Sequence, residues 1–383
     1  MFDLEQIRAD LPVLERIGYW NTGTAGPLPR PVQEAMRNVL ERELLQSRIH
    51  LDHFLEGKEM AEQIRRHLCG LFGGTPEEWA LTHHTTEGIN RVLAGFDWQE
   101  GDQIVTSNLE HAGVLVPLAV LQKRRGVRIK RVDLGLGSLE NRPVERILEA
   151  IDERTKLCVL SHVAYTSGAR LPLEELTSEL HRSGIPLLVD GAQSAGSIPV
   201  DLNEWPVDFY SIPGQKWLCG PEGSGALFVR ASHQERLQMS ESGYASVASY
   251  DEQGGYVPRE GAARYEVGTR NKAVLAGQLA ALQWLSRWNL QDCQERIATL
   301  AGKLRGILME TAGVELLTPE NHAGLVTFRI RNKEPQQIVK ELADKNQWIR
   351  TIDELQAVRI SVGFFHKEEE VAAWPGWLRG LFH

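Results

Sequence analysis

The chain has 383 residues, room for two or three domains or one large α/β body. With 42% hydrophobic and 24% charged residues it can bury a sizeable core, and its formal net charge of −9 argues against a general nucleic-acid binder, which needs a basic surface. Its four cysteines, Cys69, Cys158, Cys219 and Cys293, lack CxxC spacing, so neither a disulfide framework nor a zinc site is expected, and no other metal site is read.

In chain order, the opening "MFDLEQIRADLPVLERIGYW" carries acids where a signal peptide needs a basic end and an apolar run. No segment approaches the roughly 20 apolar residues of a membrane helix. A cytoplasmic protein with neither a membrane nor a nucleic acid as partner is the expectation. Further on, short apolar and β-branched runs alternate with amphipathic stretches. The runs are "QIVTS" (103–107), "RIKRVDL" (128–134), "KLCVLSHV" (156–163), "IPLLVD" (185–190), "DFYSI" (208–212) and "GALFV" (225–229). Between them "GVLVPLAVLQKRR" and "PVERILEAIDERT" read as helices. The pattern predicts an α/β fold, with a mostly parallel sheet covered by helices on both faces.

Past residue 250 a Gly-rich polar segment leads into a long helix, "NKAVLAGQLAALQWLSRW", and then to strand candidates "LVTFRIR" and "VRISVGFF". A large α/β domain over 16–255 and a smaller α+β domain from 1–15 with 256–383 are expected.

Ligands of an open parallel sheet gather at the carboxyl ends of its strands. Asp190 ends "IPLLVD", where an Asp often does no more than cap the next turn. Lys216 follows a second buried run, among Gly214, Gly220, Gly223 and Gly225. A strand-end carboxylate and a lysine in a tight glycine turn are what pyridoxal phosphate needs. The lysine forms a Schiff base, and the carboxylate keeps the pyridine nitrogen protonated.

The segment "VDGAQSAGSIPVDLNEWPVDFYSIPGQKWLCGPEGSGALFV" resembles the heart of the class V, fold-type I pyridoxal-phosphate enzymes. The similarity runs from "YWNTGTAGPLP" to "VRISVGFFHKEEEV" and is strongest to the cystine C–S lyases, cysteine desulfurases and isopenicillin N epimerase-like proteins. It implies a homodimer with a shared active site, and Lys216 as the Schiff-base lysine. Asp190 would face the ring nitrogen, Gln193 the phenolic oxygen, and His111 would stack on the ring and move protons. Thr85 and Thr86 in "HHTTEGIN" would bind the phosphate at a helix start, and Thr269 would reach the phosphate of the neighbouring subunit. Arg359 would grip the substrate carboxylate, with Arg350 as a second arginine of the cystine-lyase kind or a surface residue.

Three departures from the family pattern matter. Pro213-Gly214-Gln215-Lys216 replaces the usual Ser/Thr-Gly-His-Lys; Gln215 can still hydrogen-bond at the cofactor, and Ser211 is the hydroxyl that would compensate for Pro213. Tyr165 stands where desulfurases carry Asn, as in the cystine lyases. The interval "TIDELQAV" lacks the loop cysteine with which desulfurases attack sulfur, and Cys219 reads as a buried structural thiol. The expected activity is β-elimination from a cysteine- or cystine-type amino acid. A class V aminotransferase, an amino-acid epimerase, a desulfurase lacking its usual cysteine, and a non-catalytic regulatory binding protein on the same fold stay open as alternatives.

Overall fold

The computed structural model describes residues 2–381, so Met1, Phe382 and His383 of the expected smaller domain lie outside the described residues. Seven strands form the main sheet: β1 (Trp79–Thr82), β2 (Gln103–Ser107), β3 (Arg128–Val132), β4 (Thr155–Ser161), β5 (Leu187–Asp190), β6 (Phe209–Pro213) and β7 (Gly225–Val229). Their order is β1-β7-β6-β5-β4-β2-β3. Strands β2 to β6 run parallel, whereas β7 runs antiparallel to both its neighbours. The inner strands are buried on both faces, which is why they read as unbroken apolar runs; β3, at the edge, is mostly exposed.

The second sheet is antiparallel, with β8 (Val314–Leu316), β9 (Leu325–Ile330), β10 (Arg350–Ile352) and β11 (Ala357–Ser361) in the order β8-β9-β11-β10. All strands of the first sheet thus come from residues 79–229 and all of the second from 314–361.

In chain order the helices that matter are α1 (Leu4–Ala9), α2 (Arg30–Gln46), α3 (Leu51–Phe72), α4 (Thr85–Gly95) and α5 (Ala112–Arg125), with α6 (Lys272–Arg287) further on. Helix α6 packs its Ala273 and Ala276 against Val39 of α2 and Met60 of α3. Helix α1 is tied to the C-terminal region through Arg8, which bonds Glu370 and the Phe365 carbonyl. The stretch after α1 crosses to the second sheet: Gly18 and Tyr19 pair in parallel with Gln347 and Trp348, and Ser361 donates to the Trp20 carbonyl at 2.7 Å.

One expected helix is shorter than its pattern. "PVERILEAIDERT" is helical only over Pro143–Leu148. The Asp152 side chain accepts from the Arg154 amide, and Thr155 Oγ1 accepts from the Asp152 amide; this local turn ends the helix before β4.

Candidate active site

The carboxyl ends of β4, β5 and β6 bring Ser161, Asp190 and Ser211 into one register line. Beside it lies a cavity of about 240 Å³. Its walls include Thr85, Thr86, His111, Tyr165, Asp190, Gln193, Gln215, Lys216, Arg350 and Arg359, residues far apart in sequence. Of the expected site residues only Thr269 stands outside it. That threonine is exposed, its hydroxyl paired with Tyr244.

Lys216 is carried by the turn after β6. Gly214 donates to the Ser224 carbonyl and Gly220 to the Gly214 carbonyl, both at 2.8 Å, which folds the turn back on itself. A Cβ on Gly214 would lie 2.0 Å from Ser224 Oγ, so only glycine fits there. Burial pulls the Lys216 ammonium down to about 8, with Arg359 and Arg350 adding repulsion and Asp190 opposing them. Asp190 accepts from the Ala192 amide at 2.8 Å. Burial raises its carboxyl, while Lys216 pulls the other way.

Helix α4 begins at the cavity. His84 caps it by accepting from the Glu87 amide at 3.1 Å, and Glu87 reaches back to the His83 amide at 2.7 Å. Burial alone would raise Glu87, but hydrogen bonds from Arg91 and His83 hold it at about 2. The first N–H groups of a helix have no intrahelical partner. Here they belong to Thr85 and Thr86, on the cavity wall. Ser211 does not compensate for Pro213: its hydroxyl donates to the Thr85 carbonyl at 2.8 Å and ties α4 to β6 instead.

His111 caps α5, accepting from the Gly113 amide at 3.0 Å, and meets the Tyr165 ring edge-on with centroids 4.8 Å apart. Burial and the Lys216 charge lower its pKa, which favours the neutral imidazole. Gln193 accepts from Trp217 Nε1 and donates to the Gly23 carbonyl, keeping one amide hydrogen for a ligand.

Arg359 is fully buried and donates to the Tyr165 carbonyl at 2.6 Å. Its Nε and Nη2 have no partner. Burial and the neighbouring Arg350 charge pull the guanidinium down to about 9.

The sequence model of the aminotransferase class-V family matches residues 19–373. The chain belongs to that family.

Relatives of this class-V chain include the probable cysteine desulfurase of Methanothermobacter thermautotrophicus, 29% identical over 340 residues, 88% of this chain and 84% of that protein. The cysteine desulfurase of Escherichia coli K12 is 29% identical over 86% of this chain and 83% of its own length. Among solved structures, the cystine C–S lyase C-DES in complex with its reaction product cysteine persulfide superposes with a TM-score of 0.90 at 28% identity, over 96% of this chain and 98% of that one. A C-DES variant with glycine covalently linked to its pyridoxal-phosphate cofactor gives 0.91, also at 28% identity, over 97% and 98% of the two chains. The class-V family is one of pyridoxal-phosphate enzymes, and the chain is an enzyme of that kind with the fold-type I architecture.

The donor set fits that cofactor. A lysine amine for its aldehyde, a buried carboxylate for its ring nitrogen and a helix start with two hydroxyls for its phosphate face one cavity. The unpaired Arg359 nitrogens add room for an anion. Sequence reasoning passed over Gly23 and Thr24 of the cavity wall, which arrive from the N-terminal stretch. It also passed over Glu110, buried one residue before His111 and accepting from Ser107 and Ser161 hydroxyls at 2.6 Å each. Burial pushes that carboxyl up to about 7, against the pull of the two serines. Among the described residues no helix is long and apolar enough to cross a membrane.

Proposed function

We propose that the protein is a pyridoxal-phosphate-dependent C–S lyase that cleaves the Cβ–S bond of a cystine-type amino acid. The observation that carries this reading is Arg359: a buried guanidinium with two unpaired nitrogens, in the same cavity as Lys216 and Asp190. Its fork suits a substrate α-carboxylate. Lys216 would hold the cofactor covalently and Asp190 its ring nitrogen. Thr85, Thr86 and Gln215 would hold its phosphate end, Gln193 its phenolic oxygen, and His111 the face of its ring. When bound, pyridoxal phosphate supplies the electron sink for the negative charge left at the substrate α-carbon.

The rest falls to the chain. Lys216 Nζ, freed once the substrate amine takes its place on the cofactor and with its proton affinity lowered by burial, would take the α-proton. The Cβ–S bond then breaks, and its electron pair leaves with the sulfur. Overall, cystine and water give cysteine persulfide, pyruvate and ammonia. A tight turn over Asp353–Leu355 joins β10 to β11 where a desulfurase would carry a reactive loop, and Cys219 is buried with its thiol raised far above the ordinary range.

We further propose a homodimer in which Thr269 serves the partner's cofactor, and a cytoplasmic location, where a reducing medium suits four free thiols. The exposed position of Thr269 beside Tyr244 supports the first. The division into 16–255 and 1–15 with 256–383 remains our proposal; the separate origins of the two sheets support it, and α6 packing on α2 and α3 ties the parts together.

The deciding experiment incubates the holoenzyme with L-cystine and L-cysteine and assays pyruvate, alanine and persulfide. Pyruvate from L-cystine is expected, retained when all four cysteines are replaced by Ser and abolished by Lys216→Ala. Alanine from L-cysteine that requires one of those cysteines would make the protein a desulfurase instead.

A further inference from the structure

Beside the cavity lies a second pair of charges that the proposed chemistry leaves unused. Arg350 faces Arg359 directly across the β10–β11 register. The inner arginine is buried, whereas the outer one is half-buried, on the cavity wall. Arg350 donates through Nε to the Thr351 carbonyl at 3.0 Å and through Nη1 to Thr24 Oγ1 at 3.3 Å. Its remaining nitrogen has no protein acceptor among the described residues.

Four positions on, the tight turn presents Glu354. One carboxylate oxygen accepts from the Tyr165 hydroxyl. The residue is exposed, and the Tyr165 that it holds lines the cavity. The Tyr165 hydrogen bond, its own backbone amide and then the charges of Arg350 and His111 outweigh burial and hold this carboxyl below the ordinary range, so it is ionised at neutral pH. Tyr165 in turn is pinned edge-on to His111 and holds Arg359 through its carbonyl. A cationic nitrogen without a protein acceptor and an exposed carboxylate joined to the cavity wall through Tyr165 therefore lie outside the arginine assigned to the reacting half of the substrate.

We propose that Glu354 is a specificity-determining residue that accepts the ammonium group of the distal, non-reacting half of a disulfide-linked substrate, while Arg350 takes its carboxylate. The inference rests on the C–S lyase reading and adds to it a requirement for a second zwitterion. A simple thiol amino acid fills only the inner half of the site. A disulfide whose far end lacks an amine leaves Glu354 without a partner, and a charge-assisted contact is lost.

The test uses holoenzyme, wild type and Glu354→Gln, on three disulfides of L-cysteine: L-cystine, the mixed disulfide with 3-mercaptopropionate and the mixed disulfide with cysteamine. Gln keeps an acceptor for Tyr165 but removes the charge. In the wild type the mercaptopropionate disulfide should show a KM about tenfold or more above that of L-cystine. Glu354→Gln should raise KM for L-cystine and for the cysteamine disulfide by a similar factor, and leave the mercaptopropionate disulfide within about twofold. Equal changes on all three substrates would reduce Glu354 to a prop for Tyr165 and overturn the subsite, as would no change on any. Failure of the wild type to cleave any of the three would sink the lyase reading itself, and the subsite with it.

Discussion

Burying a guanidinium without a counter-charge costs several kcal/mol, and Arg359 bears that cost with Arg350 as an additional repulsive neighbour. The arrangement makes physical sense when an anion completes it. Glu110 is the opposite case, a buried carboxyl whose hold on its proton is strengthened by burial. Its folded value of about 7 stands above the ordinary 4.5, so its contribution to stability is fully present below the unfolded value and is lost as pH rises through 7. Relative to an uncharged amide the loss is on the order of 3 kcal/mol. Glu110→Gln is therefore expected to gain in Tm over the wild type between pH 5 and 8, while matching it near pH 4.5. A Tm difference that stays constant with pH would show that folding does not raise the Glu110 value. Lys216 and Asp190 were legible in the sequence because a glycine turn and a strand end mark them, and Arg359 only through the family resemblance. Glu110 and Glu354 were not, since a carboxylate beside a histidine or in a short turn looks like any surface acid until its neighbours are known.

At the scale of elements, "QIVTS" and "GALFV" are strands over their full predicted lengths, because each is an apolar run buried on both faces. Strand β1 gave no such signal: only four residues long, it lies between "PEE" and two histidines. Helix α4 shows what positions the cofactor end of the site. Gly88 sits where its helix crosses β6, and an added Cβ would come within 2.2 Å of Ser211 Oγ, the same hydroxyl that holds the Thr85 carbonyl. Gly88→Ala should push the helix start away from the sheet and destabilise the protein by about 1–3 kcal/mol. It should also weaken cofactor affinity, measured by equilibrium dialysis. Unchanged stability and affinity would mean that Ser211 rotates aside at little cost and that the tie is incidental.

The whole molecule exposes an apolar face that fits the proposed homodimer. Leu44, Leu45 and Ile49, at the end of α2 and just beyond it, are 83%, 80% and 82% exposed, and Leu51, Phe54 and Leu55 at the start of α3 continue the patch. Contiguous apolar surface of this kind marks an interface. Light scattering should give twice the chain mass of 43.0 kDa, and Leu45→Glu with Ile49→Glu should give the monomer. If the proposed shared site holds, the monomeric variant should also bind cofactor more weakly, since each site would lose the partner's Thr269. A wild-type monomer at micromolar concentration would refute the shared site.

The crossing of the N-terminal stretch to the second sheet has a consequence for how the enzyme is made. Trp20 bonds Gln347 across 327 positions, and Gly23 and Thr24, just beyond it, wall the cavity. Contacts between such distant parts of a chain form late, since loop closure must precede them. During synthesis the first 24 residues emerge long before the strands they pair with exist. The parallel sheet can fold while they wait, but a ribosome-bound chain has no finished pocket until β11 is released. Binding competence thus arrives as one of the last events of folding, and a chain interrupted before β10 holds Lys216 and Asp190 in a site with one wall missing.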